Sequence, residues 1–124
     1  MIDAEDGKAK VVDAGADLQS LYELIGCGCI GISPRFVGGK MYHIVYDDEF
    51  LLKEELPTLT ATTDGVPEMF GNIAVFGCDG EWGDELGDLT DSDIANLLGH
   101  TARMSPYWDG RVIPVLGMTY WDGR

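Results

Sequence analysis

Three groups of residues carry, at close spacing, side chains able to do chemistry. The densest runs from Asp79 to Asp93, with seven carboxylates and no base. Carboxylates at such density attract a divalent cation or the basic surface of another protein. A hand-type calcium loop does not fit, because it needs glycine at its sixth position and glutamate at its twelfth, where counting from Asp79 gives Asp84 and Thr90. A solvated acidic loop leading into a helix accounts for the run better than a weak metal site, since charge runs are usually solvated faces. In a third reading Trp82 is the apolar anchor of a partner-binding patch whose carboxylates are Asp84, Glu85 and Asp88.

The second group is a repeat. Tyr107-Trp108-Asp109-Gly110-Arg111 returns as Tyr120-Trp121-Asp122-Gly123-Arg124, each copy a few residues after a methionine, Met104 and Met118. Each sets two rigid aromatic surfaces beside a guanidinium that can grip phosphate or carboxylate in bidentate fashion or stack on a ring. Tyr107, Trp108, Arg111, Tyr120, Trp121 and Arg124 are therefore the candidate ligand-binding residues, suited to a nucleotide or another small anion. The plainer account is a pair of tight Asp-Gly turns whose aromatics cap a sheet edge, and it is slightly favoured.

Cysteine and histidine form the third group. Cys27, Cys29 and Cys78, with His43 and His100, lack the paired spacings of a zinc site, and an odd count fits no disulfide framework. Small buried hydrophobes explain the cysteines, and a core or interface role explains His43. A Cys–His nucleophilic pair would need only proximity in space, but nothing in the spacing selects one. Carboxylates are so numerous that pairs arise by chance, and none is singled out for acid–base work. The expectation is a non-enzymatic protein without metal or cofactor.

Bulk properties narrow the partners. The chain has 124 residues and a mass of 13.5 kDa, a size that can bury a core as a single domain, and 45% of its residues are hydrophobic. Eight basic residues against 22 acidic ones give a net charge of −14. Such a potential repels phosphates and anionic lipid, which argues against direct nucleic-acid or membrane binding, and it draws in basic protein surfaces. No apolar core follows the acidic start Met1-Ile2-Asp3-Ala4-Glu5-Asp6, so a cytoplasmic location in a host cell is expected.

The elements that must position these groups read as follows. Residues 1–8 lack periodicity and suggest a flexible arm leading to a strand at Ala9–Asp13. Asp17 caps a helix with Leu18, Leu21, Tyr22 and Ile25 on one stripe, ended by Gly26. Gly38-Gly39 turns a hairpin whose second strand, Met41–Tyr46, is apolar on both faces and therefore central. Phe50–Phe70 reads as a packed connector, interrupted by Pro57 and Pro67. Asn72–Phe76 is a buried strand. Thr90 and Asp93 have capping-box spacing for a helix packed through Ile94, Leu97 and Leu98 and stopped at Gly99. Val112–Leu116 reads as an edge strand because Pro114 cannot donate to a central ladder.

Taken in order, the leading strand, the helix to Ile25, the Gly26–Tyr46 hairpin, Leu56-Pro57, Ala61-Thr62, Gly71–Gly77 and the Leu89–Ile94 helix start resemble the small phage- and mobile-element-encoded proteins called domain of unknown function 3846. The likeness covers residues 9–98; Gly26-Cys27-Gly28 and the acidic stretch before Thr90 depart from it, and the C-terminal segment 104–124 lies outside it. The resemblance implies a compact α+β fold and a mobile-element context.

The expected architecture is one α+β domain, a mixed or antiparallel sheet of four to five strands with two helices on one face. The expected function is binding: sequestering a small anionic, nucleotide-like signalling ligand or blocking a host protein in counter-defence, with self-association into an oligomer compatible with either. Two alternatives stand beside it, an acidic nucleic-acid mimic that inhibits a DNA-binding enzyme and a small metal-dependent nucleotide hydrolase.

Overall fold

The computed structural model of the chain describes residues 2–3, 8–9, 18–26, 29–48, 59–79, 85–104 and 113–119. Its centre is the glycine hairpin. Gly38 and Gly39 have φ of +59° and +83°, the left-handed pair that a two-residue primed turn requires. β3 (Ile30–Val37) and β4 (Lys40–Asp47) consequently pair antiparallel without a slip, from Val37↔Lys40 to Ile30↔Asp47. Pro34 sits in the middle of β3. The backbone N–H of Phe36 points away from β4, to Thr119, so the nitrogen of Pro34, two residues earlier, also points away and costs the β4 ladder nothing.

Tyr42, His43, Ile44 and Val45 are all buried in β4. As the sequence pattern required, that strand is central, lying between β3 and β7 (Ile73–Asp79). Beyond β7 lie β1 (Ile2–Asp3) and β2 (Lys8–Ala9), while β8 (Glu85–Gly87) pairs with the far end of β7, completing a six-stranded sheet. Ile2, in the stretch read as an arm, is buried opposite Ile73, because one apolar residue suffices to fix a two-residue strand on an open sheet edge. The strand expected at Ala9–Asp13 overlaps the described residues only at Ala9, in β2.

A strand buried on both faces needs cover on both, and the two helices divide that work rather than sharing one face. α1 (Leu18–Ile25) sets Leu21 and Ile25 against Val45 and Ala74. It ends at Gly26, whose φ is +79° and whose N–H donates to the Tyr22 carbonyl at 2.8 Å; its expected cap, Asp17, lies outside the described residues. α2 (Asp91–Gly99) sets Leu97 against the opposite face, among Val37, Tyr42 and Ile44.

The rest of that face is covered by a second sheet, which the sequence reading missed by taking Phe50–Phe70 as a connector. β5 (Leu59–Thr63) and β6 (Val66–Phe70) form a hairpin about Asp64-Gly65, at φ of +54° and +80°. Asp-Gly after a threonine-rich run and before Val66 is a hairpin signal, and threonine favours strands rather than opposing them. β10 (Ile113–Met118) runs parallel to β5 and antiparallel to β9 (Thr101–Met104), giving the order β6-β5-β10-β9. β10 is thus internal, not an edge. Pro114 is tolerated because pairing with β5 begins only at Leu116, so the proline nitrogen faces an unpaired stretch of ladder. The chain is α+β with mixed pairing, as expected, but its strands fall into sheets of six and four rather than one of four to five.

The sheets are joined in two ways: Phe36 and Thr119 exchange backbone hydrogen bonds of 2.8 Å, and Arg35 on β3 forms an ion pair with Glu68 on β6. Their shared core contains Ile44, Ile73, Ala61, Met69, Leu116 and Met118.

Replacing Gly38 by alanine should destabilise the protein by roughly 1–3 kcal/mol. The left-handed backbone is then strained, and the new Cβ would strike the Asn96 side chain and the His100 ring. Urea unfolding of the variant checks this; unchanged stability would contradict the turn geometry.

Candidate functional site

A buried polar network is built on the start of α2. Thr90 is the N-cap with extended backbone; its hydroxyl accepts the Asp93 N–H at 3.1 Å while the Thr90 N–H donates to Asp93 Oδ2 at 3.0 Å. The capping box read from the sequence is therefore present, with aspartate in place of the usual glutamate. Asp93 does more than cap. Its side chain is 6% exposed, and Oδ1 receives the ammonium of Lys40 at 2.5 Å and the hydroxyl of Tyr42 at 3.0 Å. Asn96, one turn on, donates to the Tyr42 oxygen at 3.1 Å and to the Val37 carbonyl at 2.9 Å. The glycine turn thus presents Lys40, Tyr42 and Val37 to one face of α2.

Both oxygens of Asp93 are occupied by donors. Lys40 foremost, then the Thr90 N–H, holds its carboxyl well below the usual carboxylate range, against the opposing effect of burial. The Tyr42 phenol is pushed up, chiefly by burial, and the Lys40 amine is also raised, chiefly by its bond to Asp93. At neutral pH the trio is an ionised acid, a neutral phenol and a charged amine, each shifted further from exchanging its proton near neutrality. A saturated carboxylate this acidic is neither a general base nor a free metal ligand. The network is a clamp between hairpin and helix, with the Lys40 side chain still 57% exposed at the surface.

No protein-family model, curated protein or solved structure matches the chain. The site has to be read from its own geometry.

Of the residues singled out by sequence, Tyr107, Trp108, Arg111, Tyr120, Trp121, Arg124, Trp82 and Asp84 lie outside the described residues. Copy one follows Met104 and precedes Ile113, which face each other across β9 and β10, whereas copy two follows Thr119 at the other end of β10. Those roots are separated by six residues of strand, about 20 Å. The acidic run is not one continuous loop: Asp79 ends β7, Glu85 opens β8 opposite it, and Asp88 is exposed just before the α2 cap. Asp93, the last of the seven carboxylates, is buried and neutralised.

Cys29 and Cys78 are partly buried thiols, and burial pushes the Cys78 thiol up, away from nucleophilic use. His43 is buried at 8% exposure in β4, and His100 is exposed with Nδ1 2.8 Å from the Asn96 carbonyl. Among the described residues no three His, Cys, Asp or Glu converge as metal ligands. Sequence reasoning missed Lys40 and Tyr42 as partners of Asp93, and Asn96 as a partner of Tyr42, since these contacts span about fifty residues of chain and leave no local pattern.

Because Asp93 is more acidic folded than unfolded, it contributes stability above about pH 4 that is lost as the pH falls through its folded value. Acid titration followed by circular dichroism should show a steeper loss below about pH 4 in the native protein than in Asp93→Asn. A second variant, Thr90→Ala, should cost about 1 kcal/mol in urea unfolding through the lost cap.

Proposed function

We propose that this chain is a non-enzymatic binding protein that blocks a host protein by engaging a basic surface on it. The observation that carries this reading is how charge is disposed on the described residues. Arg35 and Lys40, the two lysine or arginine side chains described, are tied to Glu68 and Asp93, whereas Glu23, Asp48, Asp64, Asp88 and Asp91 are exposed. Among the described side chains both bases are thus paired, and the exposed charges left to meet an approaching molecule are acidic. Asp91 stands with Ala95 and Leu98 on the exposed side of α2, Leu98 at 56% exposure, and Asp88 is exposed just before the helix cap. Carboxylates beside an apolar side chain suit a basic partner, with charge speeding encounter and the apolar contact slowing release.

A basic groove on a nucleic-acid-binding enzyme is one member of this partner class, so the nucleic-acid mimic becomes a special case of the same surface. The phage or mobile-element setting rests on the sequence resemblance of residues 9–98. Among the described residues no helix is long and apolar enough to cross a membrane.

Purified protein immobilised and exposed to host extract should retain partners with basic surfaces, released as salt is raised from about 0.05 to 0.5 M. Asp88→Lys with Asp91→Lys should weaken retention several-fold. Retention indifferent to both salt and charge reversal would defeat the proposal.

A further inference from the structure

We propose that the outward edge of β3, between Ile30 and Pro34, accepts an extended basic segment of a partner as an added strand; this rests on the basic-partner reading above and specifies its mode. β3 is the terminal strand of the six-stranded sheet. Its ladder with β4 is regular, and the Phe36 N–H points away from β4 to Thr119. By the alternation of antiparallel pairing, the N–H and C=O groups of Ile30 and Ile32 and the carbonyl of Pro34 point away from β4 as well. Among the described residues, hydrogen bonding along this outward side is at Phe36, with Thr119, and at the Pro34 carbonyl, which accepts from Arg35 Nη1 at 2.7 Å; the groups of Ile30 and Ile32 are those offered to an added strand. The stretch from Ile30 to Pro34 is five residues, about 17 Å, enough for a short added strand.

Two further observations select the occupant. Ile32, at the middle of the stretch, is 47% exposed, one of three large hydrophobics so exposed among the described residues. Exposed carboxylates lie beside the Ile30 end and near Phe36, two residues beyond the Pro34 end, where the Arg35 guanidinium is itself paired with Glu68. Asp48 donates its N–H to the Cys29 carbonyl at 3.1 Å, beside the start of β3, and Asp64 donates to the Met118 carbonyl at 2.9 Å, one residue from the Thr119–Phe36 pairing. An edge with an apolar centre and acidic ends fits an extended segment with an apolar centre and basic ends. Pro34 adds a constraint: it has no donor and its carbonyl already accepts from Arg35, so the added strand is held by the backbone groups of Ile30 and Ile32.

The probe is a capped octapeptide of alternating lysine and valine, added to the isotope-labelled full chain and followed by amide NMR shifts and hydrogen exchange. The expected result is shifts and new protection at Ile30 and Ile32. Ile32→Pro, which removes one outward donor and leaves the β4 ladder intact, should weaken binding about fivefold or more. Asp48→Asn with Asp64→Asn should weaken it about two- to fivefold and flatten its salt dependence. If Ile32→Pro fails to fold, Ile32→Ala keeps the backbone donors and should still lose affinity by removing the apolar contact.

Four outcomes overturn the proposal: shifts confined to Asp88 and Asp91, which would place the basic partner on α2 and leave the broader reading standing; no binding at all; protection of Ile30 and Ile32 before the peptide is added, assigning the edge to the chain's own residues; or a doubled mass in light scattering, assigning it to a second copy.

Discussion

A carboxylate taken out of water has to be satisfied on every lone pair that matters, and at Asp93 that requirement organises the molecule. One oxygen takes a lysine ammonium and a phenol from the strand that follows the glycine turn, and the other takes the N–H of its own helix cap. Removing any one partner would leave a buried charge short of donors, a cost larger than the net worth of the bond itself. The turn, the start of α2 and the central strand are therefore fixed relative to one another by a single ionised group. The positive φ of Gly38 and Gly39 belongs to the same arrangement, because the primed turn brings Lys40 back within reach of the helix.

The second sheet is attached with equal economy. An ion pair between Arg35 and Glu68 and one reciprocal pair of backbone bonds between Phe36 and Thr119 bind it to the edge of the first sheet, while the shared core supplies the hydrophobic contact. Both ion pairs consume a base and leave other acids facing solvent. The fold thus separates two uses of charge: paired inside to fix geometry, unpaired in sign outside to set the surface field.

What the sequence revealed follows from how local each cause is. The glycine hairpin, the α1 terminus at Gly26, the two-sided β4 and the Thr90–Asp93 box were legible because each depends on a few neighbouring residues. The Asp64-Gly65 hairpin is equally local, but its turn signal is masked by Pro57, Pro67 and the threonine-rich stretch around it. Pro114 misled for a different reason. A proline excludes a strand only where its nitrogen must donate, and that depends on where β5 stops, which no local pattern encodes. The partners of Asp93 are remote in sequence for the same reason. The aromatic copies and Trp82, prominent by composition, lie outside the described residues, so the described surface is read from exposed carboxylates instead.

The parallel pairing of β10 with β5 carries a kinetic consequence. Ala61 and Leu116 are paired although fifty-five residues of chain separate them, and the entropy of closing that loop must be met before the contact returns anything. The β3–β4 and β5–β6 hairpins can close early and independently, each about its own two-residue turn. The second sheet cannot acquire its interior until β10 arrives between β5 and β9. During synthesis, β5 and β6 thus exist for a time as a hairpin open along both edges, the β5 edge bearing Leu59 and Ala61 that will later be buried. Assembly of this small protein is therefore governed by the late delivery of one central strand, and the interval before its arrival is when exposed β edges are most open to wrong partners.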